Sequence, residues 1–248
     1  MGPARRPAAL LAAFALLSSS SPLAARERFV PIQPRPVIEV VVTGDDVCPE
    51  GRAEDILVCG MRSMGPAQLR ILHRFSQCVA QRRPGAARDI LARGYDAAMR
   101  PALGRIAAWG LDCGPGGHLH VSGMLFAGAM AEALLVPLTR GASLERVVAF
   151  DPDRPSLDAR DEAEMMSFCA VRAAPAAVAA LFATDGASRR EEAAVQALLP
   201  QLTECLGRDV RLVTNRPALR ALLALAALRL ALNNHAAPAR ASMRGDKG

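Results

Sequence analysis

Two stretches of this chain place a cysteine six residues before a proline, and each leads on to a second cysteine at nearly the same distance. The matched positions, first copy then second, are Cys78 and Cys169, Pro84 and Pro175, and Cys113 and Cys205. Apolar positions between them also match at a nearly constant offset. A spacing that is kept despite small loop insertions indicates a duplicated unit. Two copies indicate a duplication and not a solenoid, which needs more repeats. We therefore expect two related units, each with its own pair of cysteines.

Composition favours helices in both units. Of the 248 residues, 51% are hydrophobic but only 4% are aromatic, whereas strands are enriched in aromatic and β-branched residues. Each unit is predicted to hold about four helices, the first carrying a cysteine and the second starting at the matched proline, a favoured first helical residue. The predicted first and fourth helices are 66–83 and 124–135 in one copy, and 161–174 and 217–232 in the other.

Local sequence predicts where several helices begin. Ser188 and Glu191 have capping-box spacing before the third helix of the second unit, which Pro200 is expected to kink. Pro101 either kinks the corresponding first-unit helix or marks its start. Ser122 and Thr214 are the predicted N-caps of the two fourth helices, because they occupy matched positions of the repeat and serine and threonine are good capping residues.

The two fourth helices are apolar on most faces, which predicts that each is the buried central helix of its unit. Both are too short, and too interrupted by Glu132, Arg220 and Arg229, to cross a bilayer. We therefore expect no transmembrane span in the mature chain.

The N-terminal residues have the order of a secretory signal peptide. Arg5 and Arg6 precede the uncharged run Ala8–Leu17, and a small-residue cleavage site follows near Ala25. The apolar run is shorter than the roughly 20 residues that a spanning helix needs, although an uncleaved N-terminal anchor is the alternative. The expected location is periplasmic or secreted.

Export into an oxidising compartment favours disulfides for an even number of cysteines. The repeat then implies Cys78–Cys113 and Cys169–Cys205, one bridge in each unit, and leaves Cys48 to pair with Cys59. A metal site is the alternative, but the sequence has no Cys-x-x-Cys pair of the kind that zinc sites usually use.

The rest of the chain is expected to connect these units. A proline-rich extended segment leads into strands at Val37–Thr43 and Ile56–Cys59, predicted as a hairpin clasped by the third bridge. The predicted organisation is 1–25 signal peptide, 26–62 extended segment and hairpin, 63–138 first unit, 139–160 linker, 161–232 second unit and 233–248 disordered tail. The predicted fold class is all-α: two duplicated, disulfide-stapled helical units preceded by a small β-hairpin.

The paired Cys-x5-Pro frames, together with the run from Asp55 to Gly60, resemble uncharacterised exported proteins of high-GC bacteria. The resemblance covers roughly residues 37–232. It implies a location and a fold, and no activity.

Charge indicates little about partners. The formal net charge is +6, but Lys247 is the only lysine, and the arginines are dispersed without the interleaved aromatic residues of a nucleic-acid stacking surface. We therefore expect no nucleic-acid partner.

His118 and His120 are the histidines that could form a metal site, since alternate residues of a strand face the same side. Two nitrogens leave a tetrahedral site incomplete, His73 and His235 lie elsewhere in the sequence, and the second unit has no histidine in this region. A pair of solvated loop histidines is the favoured interpretation, so no metal or other cofactor is predicted.

Several carboxylates are candidate acid/base groups. Those at predicted helix starts complement the helix dipole instead; they are Asp161, Glu162, Glu164, Glu191 and Glu192. Glu132 differs, because it sits within an apolar helix. It is either a functional buried acid or, as we favour, an edge residue or an arginine's partner.

The absence of hydrolase, phosphate-loop and metalloprotease motifs leaves enzyme activity without positive support. The leading hypothesis is a non-catalytic periplasmic or secreted helical protein that acts as a binding or scaffold module of the cell envelope, using the surface between its units. The first alternative is a carrier of an apolar, lipid-like ligand held between helices. The second is an enzyme of unknown class using Glu132 or the two loop histidines. The expected partner is thus a protein or an apolar small molecule.

Overall fold

A computed structural model describes residues 39–43, 56–58, 65–113, 122–207 and 210–235, all of which fall in one compact unit. The helices, in chain order, are α1 Pro66–Arg82, α2 Pro84–Leu91, α3 Arg100–Ala108, α4 Gly123–Leu138, α5 Leu144–Val148, α6 Glu162–Ala173, α7 Pro175–Phe182, α8 Arg189–Cys205 and α9 Arg216–His235. The strands are β1 Glu39–Thr43, β2 Ile56–Val58 and β3 Arg211–Asn215. The protein is thus mostly helical, as predicted, but it also contains a small sheet.

The first two helices of each predicted unit begin and end close to the expected residues. A proline opens both α2 and α7, where its missing N–H would have had no helical partner. The residues that join the paired helices have nearly the same backbone angles: φ −136° and ψ 54° at Arg83, φ −134° and ψ 53° at Ala174. Each first helix therefore bends into its second helix in the same way.

The predicted helix starts have mixed outcomes. Ser188 Oγ accepts the Glu191 N–H at 3.1 Å, which is one half of the predicted capping box, whereas the Glu191 side chain accepts the N–H of Ala187 and not that of Ser188. Pro101 lies in the first turn of α3, so it marks a start and not a kink. Ser122 is the N-cap residue of α4, although its side chain makes no capping hydrogen bond. The N-cap at Thr214 was wrong: Thr214 belongs to β3, and the Oδ1 atom of Asn215 accepts the Ala218 N–H at 3.0 Å.

The two central helices, α4 and α9, are buried along most of their length, as predicted. They cross in close contact, since a Cβ atom added at Gly128 would collide with the Cβ and Cα atoms of Ala221. Only a glycine lets the two backbones approach this closely. The other described helices pack around this pair in one continuous core.

The predicted hairpin was wrong in its pairing. Strands lie near the expected positions, but β1 and β2 do not pair with each other; both pair in parallel with β3, in the order β1-β3-β2. Val213 of β3 is in register with Val41 on one side and Leu57 on the other. The sequence indicated no strand at 211–215, and a local pattern does not reveal a partner strand from the other end of the chain.

The segment predicted as a linker contains α5, whose Leu144, Val147 and Val148 are buried. Asn234 holds the end of α5 to α9, because its amide donates hydrogen bonds to the carbonyls of Val147 and Ala149 at 2.9 and 2.8 Å. The helix α9 consequently extends to His235, three residues into the predicted tail. The remainder of that tail lies outside the described residues.

Both disulfides predicted from the repeat are confirmed. Cys78 of α1 is bonded to Cys113 in the turn after α3, with a Cα–Cα distance of 5.7 Å. Cys169 of α6 is bonded to Cys205, the last residue of α8, at 5.6 Å. Cys48, Cys59 and the predicted signal peptide lie outside the described residues.

Candidate functional site

A buried arginine joins the two central helices. Arg220 of α9 is 4% exposed and makes a bidentate pair with Glu132 of α4, with Nε–Oε1 and Nη2–Oε2 distances of 2.7 and 2.8 Å. Of the interpretations of Glu132, the pairing with an arginine is therefore confirmed.

The remaining donors of Arg220 are also occupied. Nη1 donates to Glu191 Oε1 at 3.0 Å and to Thr184 Oγ1 at 3.1 Å, and Nη2 donates to the carbonyl of Phe182 at 3.1 Å. With the two bonds to Glu132, all five guanidinium donors have a partner. Burial would lower the pKa of Arg220, but the hydrogen bonds and charges of Glu132 and Glu191 outweigh it and raise that pKa. We call Arg220, Glu132 and Glu191 the Arg220 cluster.

Glu191 connects this cluster to the start of α8. Its Oε2 atom accepts the N–H of Ala187 at 2.7 Å, and Ala187 has a φ of 59°, a backbone conformation that few non-glycine residues adopt. Glu191 is 1% exposed, and both of its carboxylate oxygens accept hydrogen bonds, from Ala187 and from Arg220. Glu191 therefore stabilises a helix start and an ion pair together, and only the first role was predicted.

His73 of α1 lies beside the Arg220 cluster. With Glu132, Glu191 and Arg220 it lines a small cavity of about 10 Å³, close to the smallest space that holds one water. This cavity is far too small for a lipid-like ligand. Burial, the largest influence, lowers the pKa of His73; the Arg220 charge acts in the same direction, against the two carboxylates.

A second buried arginine lies further along α9. Arg229 pairs through Nη1 with Glu164 of α6 and donates from Nε to the carbonyl of Ala92 at 3.3 Å. The backbone N–H of Arg160 also donates to Glu164, at 2.9 Å. Burial would raise the pKa of Glu164, but the hydrogen bond from Arg160 and the positive charge of Arg229 outweigh it and lower that pKa. Asp161 caps α6 by accepting the Glu164 N–H at 2.8 Å, so these acids hold the fold together.

An open, mostly apolar groove lies next to the Arg220 cluster. It has a volume of about 300 Å³ and lies where the C-terminal ends of α4 and α7 meet the start of α5. Its lining residues are Glu132, Leu135, Val136, Thr139, Ala142, Leu144, Ala179 and Phe182. We call this the α4–α5–α7 groove; Glu132 is its one charged lining residue, and Val136 is 59% exposed.

A neighbouring groove, of about 410 Å³, lies between α5 and the end of α9. Ala142 lines both grooves, and Phe150, 70% exposed, lines the second. Its polar lining residues are Arg146, Asp151, Asn234 and His235. Two adjacent concave surfaces with exposed apolar residues therefore flank the turn between α4 and α5.

The candidate metal residues His118 and His120 lie outside the described residues. Among the residues that are described, no group of three or more His, Cys, Asp or Glu side chains is arranged to hold a metal ion. Within the same ranges, no single helix is both long and apolar enough to cross a membrane; α6 and α7 meet that test only as a pair bent by 102°.

Comparison with known proteins adds no relative: no family model, no curated protein and no solved structure matches this chain. The groove was not predicted from the sequence, because its lining residues come from three helices and a turn. Glu132 was the one lining residue that the sequence singled out, as a charged residue in an apolar helix.

Proposed function

We propose that this protein is an exported, non-catalytic helical binding protein of the cell envelope, and that its ligand occupies the α4–α5–α7 groove. The observation that carries the proposal is the groove itself. Its volume of about 300 Å³ falls at the lower end of the range for small-molecule sites, which are concave and mostly apolar with a few polar groups.

The state of the neighbouring charged groups supports binding over catalysis. Arg220 has all five donors occupied, and Glu132 and Glu191 are held in ion pairs. A general acid or base must be free to exchange a proton with its substrate. The Arg220 cluster is instead suited to fixing the floor of the groove.

Two disulfides are consistent with an extracellular or periplasmic location, because disulfides persist in oxidising compartments. The predicted signal peptide, residues 1–25, would direct the chain there. Cleavage near Ala25 is part of this proposal.

Duplication is also part of the proposal, and two observations support it. The helix order α1–α4 recurs in α6–α9, and the joining residues Arg83 and Ala174 share one conformation. The groove would then lie between the units, with α4 from the first and α7 from the second.

The proposed duplication relates the groove to a second region, between α2 and α9, and this second region differs from the groove. There Arg229 bonds to the carbonyls of Ala92 and Asp158, and Arg160 bonds to Glu164. The segment 158–160 therefore packs against this region. Within the part of the chain that the structure describes, we therefore place one ligand site, in the groove between α4 and α7.

A blocked-groove variant tests the proposal. Ala179 lines the groove on α7, whereas the next residue, Ala180, is exposed and does not line it. We expect the full chain to bind 2-phenylethanol, measured by ligand-observed NMR, and Ala179→Trp to abolish binding while Ala180→Trp retains it. Equal binding by both variants, or no binding by the unaltered protein, would overturn the proposed function.

A further inference from the structure

The α4–α5–α7 groove combines an apolar wall with several sources of negative potential. Six of its eight lining residues are aliphatic or aromatic, and its one charged lining residue is Glu132. This arrangement bears on the kind of ligand that the groove would accept.

The Arg220 cluster beside the groove carries two carboxylates and one guanidinium, a formal charge of −1. Arg220 is 5% exposed at its side chain, and all of its donors point to partners within the protein. Glu132 is more exposed, at 14% of its side chain. The member of the cluster that lines the groove and has the greater access to it is therefore an acid.

The helix ends add to this potential. The groove lies at the C-terminal ends of α4 and α7, marked by Thr139 and Phe182. The C-terminal end of a helix carries partial negative charge and favours cations. The ring of Phe182 offers an aromatic surface, which also attracts cations.

From these observations we infer that the α4–α5–α7 groove binds a small organic cation with an apolar body, such as an arylalkyl ammonium ion. The inference rests on the proposed function and specifies its ligand class. The apolar body would pack against Leu135, Leu144 and Phe182, and the ammonium group would lie toward Glu132.

Three probes of similar shape and different charge test this inference on the full chain: 2-phenylethylammonium, 2-phenylethanol and 3-phenylpropanoate. Isothermal titration at low ionic strength is expected to give a dissociation constant for the ammonium ion about tenfold lower than for either other probe. The difference should shrink as salt is added, because exposed charges are screened.

Val136 provides a charge test that leaves the buried cluster intact, because it is 59% exposed at the groove. Val136→Arg should weaken ammonium binding about tenfold and Val136→Glu should strengthen it, with Val136→Gln as the uncharged control. Binding of 2-phenylethanol is measured in each variant as the uncharged reference, so that the ratio of the two dissociation constants isolates the effect of the introduced charge.

The outcomes separate this inference from the proposed function. Equal affinity for the three probes, or tighter binding of the propanoate, would overturn the cation preference and leave the groove as a binding site. Failure of all three probes to bind would overturn both.

Discussion

The guanidinium of Arg220 and the carboxylate of Glu132 form a bidentate pair that joins α9 to α4, with N–O distances of 2.7 and 2.8 Å. Their side chains are only 5% and 14% exposed. Removing one member would leave the other charge buried without its partner, which costs far more than losing a surface pair.

The first prediction concerns Arg220→Met, which would leave Glu132 and Glu191 buried without their cation. We expect the free energy of unfolding, measured with urea, to fall by about 3–5 kcal/mol. Asp112→Ala is the control, since it breaks the exposed Arg82–Asp112 pair and should cost less than about 1 kcal/mol. Similar losses in both variants would contradict a structural role for the buried pair.

The second prediction compares two glycines within helices. Gly128→Ala would place a Cβ atom against the backbone of Ala221, and we expect it to lower the unfolding free energy by about 1–3 kcal/mol through overpacking. Gly104→Ala on α3 meets no atom within 4 Å, so it should raise stability by about 0.5–1 kcal/mol through helix propensity. Thermal unfolding of the two variants measures both changes in stability. A stabilised Gly128→Ala variant would refute the close crossing of α4 and α9.

The third prediction is a pH dependence arising from His73. Burial lowers the pKa of His73 in the folded protein below its ordinary value of 6.5, so the unfolded chain binds a proton at a higher pH than the folded protein does. The contribution of His73 to stability is therefore complete above pH 6.5 and is lost as the pH falls from there toward the folded-state pKa.

Urea unfolding at pH values on both sides of 6.5 measures this effect. His73→Gln should flatten the pH dependence in that range, whereas His235→Gln, which changes an exposed histidine at the end of α9, should keep it. An unaltered profile in His73→Gln would show that another group is responsible.

The fourth prediction concerns the two confirmed disulfides, which close loops of similar length, with sequence separations of 35 and 36. Replacing either pair by alanines should lower the unfolding free energy by about 3–4 kcal/mol, since each bridge restricts the unfolded chain. Comparing each double variant with the unaltered protein under oxidising conditions tests this. A pair whose removal leaves stability unchanged would not be a structural bridge.

Cys48–Cys59 remains a prediction, made because the other four cysteines pair with one another. Peptide mapping without reduction should recover these two residues in one linked fragment. A free thiol at either position in the oxidised protein would rule the bridge out.

The sequence predicted local features well. Prolines and capping residues act within a turn or two of the chain, and they indicated the starts of α2, α7 and α8. The two described disulfides join cysteines 35 and 36 residues apart, and the repeat indicated them. Strand β3 was missed because the stretch Arg211–Asn215 is short and its partners come from a distant part of the sequence.

Local sequence patterns also could not identify the ion-pair partners of the buried charged residues. Arg220 and Arg229 were recognised as interruptions of an apolar helix, yet nine residues place them on opposite faces of α9. There they meet Glu132 and Glu164, from different helices. The roles of His73 and of the groove depend on the same long-range packing.

The parallel sheet has a consequence for the time course of folding. Its middle strand lies near the end of the chain and its outer strands near the beginning. During synthesis the outer strands must wait without partners until Asn215 has emerged, and contacts between such distant segments form slowly. A segment that is synthesised later therefore decides when the two earlier strands can join the sheet.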